Sequence, residues 1–150
     1  MLVTRFMSPD GVGEVVDFMP VDHSRTATDR HTLVRVVRAV RGTVESTLEC
    51  RPRFDYGRAE HQLEQLGERG ALFRAPGIDA HLRTTFPLRR DGRDVRGAVT
   101  LSAGQSGGAV FTVRAPGGEA PAPPTAGGLT AQAQEVSPPS MRHWTHDRGP

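Results

Sequence analysis

The sequence predicts an all-β protein: an antiparallel β-sandwich followed by a disordered Pro/Gly-rich C-terminal tail. Two observations carry this. Apolar and polar residues alternate with a period of two, most clearly in Thr43–Arg51, where Val44, Ser46, Leu48 and Cys50 oppose Glu45, Thr47, Glu49 and Arg51. Successive strand side chains point to opposite faces, so this is the pattern of a half-buried strand. Roughly eight to ten such runs follow one another at hairpin spacing, parted by turn residues and without a clear helix, as in a sandwich.

Leu2–Phe6 alternates and is followed by Ser8-Pro9-Asp10-Gly11, a composition suited to a turn. Gly13–Met19 reads as the return strand, closed by Pro20, and residues 21–31 as a polar loop. Thr32–Arg41 is ambiguous: Leu33, Val36, Val37 and Val40 fit helical spacing, yet the four valines favour a strand. A strand is expected, with Gly42 as a short link into Thr43–Arg51. Pro52 ends that strand, since it cannot donate to a ladder. Phe54 and Tyr56 lie two apart, so an extended chain would aim both rings at one face before Gly57 turns. Thr43–Arg58 thus reads as a central strand and its exit corner.

Further strands are expected at Gln62–Leu66, Ala71–Ala75, Ile78–Thr84, Val95–Ser102 and Ala109–Arg114. Helical spacing would stack Glu60, Glu64 and Glu68 at i, i+4, which is unfavourable. Arg89–Asp94 reads as a turn. Residues 115–128 hold four Pro and four Gly and read as a flexible linker that cannot bury enough apolar surface to order itself. Leu129–Val136 fits a short helix, stopped by Pro138-Pro139.

Composition bounds the function. The 150 residues suffice for one domain. All nineteen basic residues are Arg, and the formal net charge is only +2. These arginines are dispersed rather than gathered on one patch, which argues against nucleic-acid binding. Cys50 is the only cysteine, so no intrachain disulfide or thiolate cluster forms, and a buried structural thiol is expected. The N-terminus lacks the order of a secretory signal, and no apolar run approaches the roughly 20 residues of a membrane span. A soluble, cytoplasmic protein is expected.

Candidate chemistry is sparse. Gly104-Gln105-Ser106-Gly107-Gly108 matches the G-x-S-x-G nucleophile elbow, but that motif needs a strand-to-helix turn. Here it joins two strand-like runs, and a hairpin loop explains its glycines more simply. His143, His146 and Asp147 lack a further fixed metal ligand. His23, His31, His61 and His81 read as solvated surface histidines. Asp10, Asp17, Asp55, Asp79, Asp91 and Asp94 fall mostly in turns, with Asp17 and Asp55 candidates for buried hydrogen-bond anchors. No catalytic, metal-ligating or cofactor-binding residue is expected.

The runs LVTRFMSPDGVGEVVDFMP, HTLVRVVRAVRG, RPRFDYGR and APGIDAHLRT occur in this order at compact spacing between Leu2 and about Arg114. Together they resemble the trehalase-like N-terminal β-sandwich domain of bacterial glycoside hydrolase family 15, the glucoamylase-like and trehalase-like enzymes. The resemblance implies a sandwich packed on an (α/α)6 toroid that hydrolyses α-glucosidic bonds with two glutamates and inversion. It implies an incomplete supersandwich, because the family's opening strands, with an aspartate–tryptophan segment near the active site, find no match here. MRHWTH, which includes Trp144, resembles the start of the helix entering the toroid. The family's glutamates belong to the toroid, so no Glu here inherits a catalytic role.

The expected organisation is a sandwich domain at 1–114, a linker at 115–128 and a toroid-like start at 129–150. The expected function is that of a non-catalytic fragment of such a hydrolase, inactive alone. The alternative is a free-standing binding or partner module that complements a separately encoded barrel, and a serine hydrolase acting through Ser106 comes third. The partner is then an (α/α)6 barrel, with no nucleic acid, membrane or cofactor. Loss of the opening strands would leave a sheet edge prone to dimerisation or aggregation.

Overall fold

A computed structural model describes residues 1–20 and 31–136. The readings at residues 21–30, His23, Trp144 and the His143–His146–Asp147 group lie outside the described residues, as does MRHWTH. The strands are β1 (Leu2–Ser8), β2 (Gly11–Phe18), β3 (His31–Cys50), β4 (Gln62–Gln65), β5 (Gly70–Ala75), β6 (Ile78–Thr84), β7 (Leu88–Asp91), β8 (Asp94–Ser102) and β9 (Ser106–Arg114). One helix, α1 (Ala126–Val136), follows. Every pairing is antiparallel. The long sheet runs β1-β2-β3-β9-β6-β5-β4, while β8 and β7 extend from the second half of β3. The all-β, sandwich-like architecture is therefore as the alternation predicts.

The strand β3 organises both layers. His31–Arg38 pairs with β9, and Thr43–Cys50 pairs with β8. Gly42, at φ +65°, kinks one continuous 20-residue strand rather than linking two strands, which corrects the sequence expectation. The facing register skips a residue there, since Val12 opposes Arg41 and Gly13 opposes Ala39. Val40 is the extra residue of a β-bulge, and such an insertion exchanges the two faces downstream. Val37 and Ala39 before it and Val44 after it consequently join one cluster with Leu101. The helix-like spacing of Thr32–Arg41 has the same origin. This half of β3 is covered on both faces, so apolar residues occupy both parities.

The glycine-rich stretch after Ser102 is likewise not a hairpin. β8 and β9 pair with successive halves of β3 rather than with each other. The connection is a bend alongside the kink, tied by Gly104 N–H to the Ala39 carbonyl (2.9 Å) and Ala103 N–H to the Gly42 carbonyl (2.8 Å). The expected turn at Arg89–Asp94 is also shorter than its bounds. Leu88–Asp91 is a strand paired to β8, with the reversal between Asp91 and Asp94.

Between the layers, Ala71, Phe73, Ala80, Leu82 and Ala109 meet Leu88 and Val95, with Leu48, Cys50 and Phe54 packed against them. The other face of the long sheet carries Val16, Phe18, Val34 and Val36, and these bury Leu129 and Ala133 of α1. Burying a leucine contributes about 1.5–3 kcal/mol, so Leu129 is the chief anchor of the helix. Gly108 permits this approach, because a Cβ there would lie 2.8 Å from Leu129 Cδ1. The helix starts at Ala126, inside the expected 115–128 linker. Thr125 caps it by accepting the Gly128 N–H at 3.1 Å, the usual service of a hydroxyl at a helix start. Residues 115–125 have no regular secondary structure.

Candidate functional site

Alternation on β3 and β9 places Thr32, Val34, Val110 and Thr112 on the face toward α1. With Arg114, Pro20, Pro121–Thr125, Leu129 and Gln132 they line an open cleft of about 610 Å3. The Thr32 and Thr112 hydroxyls lie 3.2 Å apart on its floor. The guanidinium of Arg114 donates to the Glu119 carbonyl, and Asp79 accepts the Gly117 N–H at 3.0 Å. Both contacts hold the chain after β9 against the sheet. Among the described residues, no Asp, Glu, His or Cys lines the cleft. Paired carboxylates across a scissile bond, which glycoside hydrolysis needs, are thus missing from it. Among the described residues, no group of three or more His, Cys, Asp or Glu is placed to hold a metal ion.

His81 lies beside Thr112 on β6. It is 2% exposed, and neither ring nitrogen has a hydrogen-bond partner among the described residues. Burial, reinforced by Arg114, Arg83 and Arg74 and opposed by Asp79, pushes its pKa down, so the ring is held neutral. His61 is also buried. Its Nε2 donates to the Arg93 carbonyl at 2.7 Å, and its ring meets Phe54 and Phe73 edge-on. Both contradict the expectation of solvated surface histidines, while His31 is exposed as expected.

The carboxylates serve structure. Asp17 is half-buried and receives both Arg35 Nε (2.7 Å) and Arg35 Nη2 (2.9 Å). Asp55, expected to be a buried candidate, is exposed and paired with Arg58 at 2.7 Å. Asp94 takes a forked pair from Arg53, which holds its carboxyl below the usual range. Asp91 is exposed, within 3.6 Å of Arg51 and 3.7 Å of Arg96. Asp10 is exposed, and its carbonyl accepts the Thr43 N–H at 2.9 Å. Among the described residues the buried acids are instead Asp79 and Glu14.

Glu14 is 2% exposed and bridges two arginines. Arg5 Nε donates to one oxygen at 2.8 Å, and Arg38 Nε to the other at 2.6 Å. Burial alone would raise its pKa, but the hydrogen bonds and charges of Arg5 and Arg38 outweigh this and lower it. Its signal was present in the sequence: Glu14 shares strand parity with Val16 and Phe18, a charge on an apolar side. His81 and Asp79 gave no such signal, because they alternate with Ala80 and Leu82 as solvent-facing residues do.

Ser106 opens β9, and its hydroxyl lies 3.0 Å from the Thr130 hydroxyl of α1. No imidazole contacts it among the described residues. The strand-to-helix turn of a nucleophile elbow is missing, since strands lie on both sides. Cys50 packs against the inter-layer core. Burial, then the charge of Asp94, pushes its thiol up to about 12.

The exit corner of β3 differs most from expectation. The chain there is not extended: Asp55 (φ +47°) and Tyr56 (φ +56°) are both left-handed. Phe54 and Tyr56 therefore point apart. Phe54 packs on the core, while Tyr56 is 98% exposed. A bridge between Phe54 and Ala59 closes the loop, and the Arg58 guanidinium sits 5.9 Å from the centre of the Tyr56 ring.

Neither the family profiles nor the solved structures give a match to this chain. Two curated relatives do match. The trehalase of Mycobacterium tuberculosis is 42% identical across 55% of this chain and 14% of its own length. The trehalase of Mycolicibacterium smegmatis is 38% identical across 70% of this chain and 17% of its own length. Over part of its length the chain is thus related to trehalases, and it spans less than a fifth of either. No described helix is long and apolar enough to cross a membrane.

Proposed function

We propose that this chain is the non-catalytic N-terminal β-sandwich of a family-15 glycoside hydrolase of trehalase or glucoamylase type, acting in cytoplasmic carbohydrate metabolism. Its role is to support an (α/α)6 catalytic domain that cleaves α-glucosidic bonds. The identity to trehalases across more than half of the chain carries the reading. The cleft without carboxylates agrees with it, since this chain then contributes scaffold rather than acid and base. The outer edge of β1 is unpaired among the described residues, and dimerisation or aggregation of the free chain would begin there.

The test has two arms. The purified chain, assayed with trehalose and maltose, should release no glucose, and measurable turnover would overturn the non-catalytic role. A chimera of the M. smegmatis trehalase, with this chain replacing the stretch it matches, should hydrolyse trehalose. An inactive chimera built from a chain that melts cooperatively on its own would overturn the supporting role.

A further inference from the structure

We infer that the loop Asp55–Arg58 is a docking prong, with Tyr56 at its tip seated in a hollow of the catalytic domain; this rests on the supporting role proposed above. Tyr56 is the only tyrosine in the chain and is 98% exposed. A mere turn does not need it. Two consecutive left-handed positions are disfavoured for side-chain-bearing residues, and glycine or asparagine would turn the chain with less strain. Strain of this kind persists where surrounding structure holds it in place and gathers at functional positions.

Here the surroundings hold it firmly. Gly57 N–H bonds to the Phe54 carbonyl (2.9 Å), and Arg58 N–H to the Asp55 carbonyl (3.0 Å). Phe54 is rooted in the inter-layer core, and Arg53 is forked onto Asp94. Arg58 lies over the phenol ring and pairs with Asp55. The result is a loop with a tethered backbone that presents an exposed aromatic ring at its tip. Tyrosine and arginine dominate the energetics of protein interfaces, and a rigid tyrosine gives large contact area at small entropic cost.

The surroundings also select the class of partner. Asp55, Gly57 and Arg58 are all exposed, so the tip is convex and has no walls to enclose a sugar. The neighbouring charges are matched, Arg58 with Asp55 and Arg93 with Glu60, so nothing there favours a polyanion. A convex, near-neutral aromatic tip fits a concave protein surface with apolar walls and a hydrogen-bond acceptor at its base. Most of each trehalase lies outside the matched stretch and can supply it.

The test introduces Tyr56→Gly into the free chain and into the M. smegmatis chimera. In the free chain, Gly accepts φ +56° without strain, so the melting temperature should hold or rise by about 2–4 °C. In the chimera the same change should lower the melting temperature and trehalose turnover, while Tyr56→Phe retains most of both. Nitration should modify Tyr56 readily in the free chain and at least tenfold more slowly in the chimera. An active chimera indifferent to Tyr56→Gly, with Tyr56 still open to nitration, overturns the prong and leaves the supporting role standing. An inactive parent chimera, built from a chain that melts cooperatively on its own, overturns both.

Discussion

Gly42→Ala is the sharpest probe of the bend on which both layers depend. Gly42 sits at φ +65°, and a Cβ there would lie 2.1 Å from the Asp10 carbonyl oxygen. That oxygen accepts the Thr43 N–H, so relief of the overlap breaks a hydrogen bond between the β1–β2 turn and β3. The left-handed backbone costs about 1–2 kcal/mol, and the lost bond about 1 kcal/mol more. A total of about 2–3 kcal/mol is a large part of the 5–15 kcal/mol of a typical domain. Gly92→Ala is the internal control, because Gly92 has φ +64° but nothing within 4 Å of its Cβ position. It should cost only the backbone term, about 1–2 kcal/mol. With a urea m-value of about 1.5 kcal/mol/M, the midpoint falls by about 1.3–2 M for Gly42→Ala and about 0.7–1.3 M for Gly92→Ala, the former larger by about 0.7 M. Equal midpoints for the two variants would refute the argument that close packing at the kink, beyond φ alone, stabilises the fold.

Other expectations follow from the same contacts. Glu14→Gln should cost about 1 kcal/mol at pH 7, since Arg5 and Arg38 are exposed enough to regain water when the charge is lost. The folded-state pKa of Glu14 lies below the ordinary value of 4.5. The unfolded chain therefore binds its proton first as pH falls, and the contribution present above 4.5 disappears through the folded pKa. Acid-unfolding curves should show that limb flattened in the variant. Leu129→Ala should cost about 2–3 kcal/mol, read as faster amide exchange confined to Ala126–Val136. Cys50, with its thiol pushed up to about 12, should resist a thiol reagent at pH 8 until urea unfolds the chain, because the thiolate is the reactive species.

Local alternation carries information about one strand and its nearest turn, and it was legible to that extent. The inward set Val44, Ser46, Leu48 and Cys50 is the less exposed side of β3, as its pattern requires. What escaped was long-range. Whether Gly42 ends a strand or kinks it depends on β8 arriving from about fifty residues away. The glycines around Ser106 suit a hairpin and a bend equally, and only the pairing partners separate them. Asp79 is buried and tied to Gly117 in chain that follows β9, which no pattern within Ile78–Thr84 reports. At the candidate prong, Pro52, Asp55 and Gly57 all signal a turn, yet the opposed directions of Phe54 and Tyr56 rest on two backbone angles that residue types do not specify.

The strand order sets the order in which the molecule can be completed. Among the described strands β9 alone joins the β1–β2–β3 half of the long sheet to the β6–β5–β4 half, and it is the last of them to be made. Thr32 meets Thr112 across eighty residues of sequence, a separation that makes closure slow. During synthesis the two halves can form by local pairing and can share the contacts of Leu88 and Val95, but the long sheet stays open until Arg114 has emerged. A chain stopped short of Ser106 would leave His31–Arg38 and β6 without the strand between them, bare edges prone to pair with neighbours. Escape from such pairing therefore turns on how quickly β9 is captured.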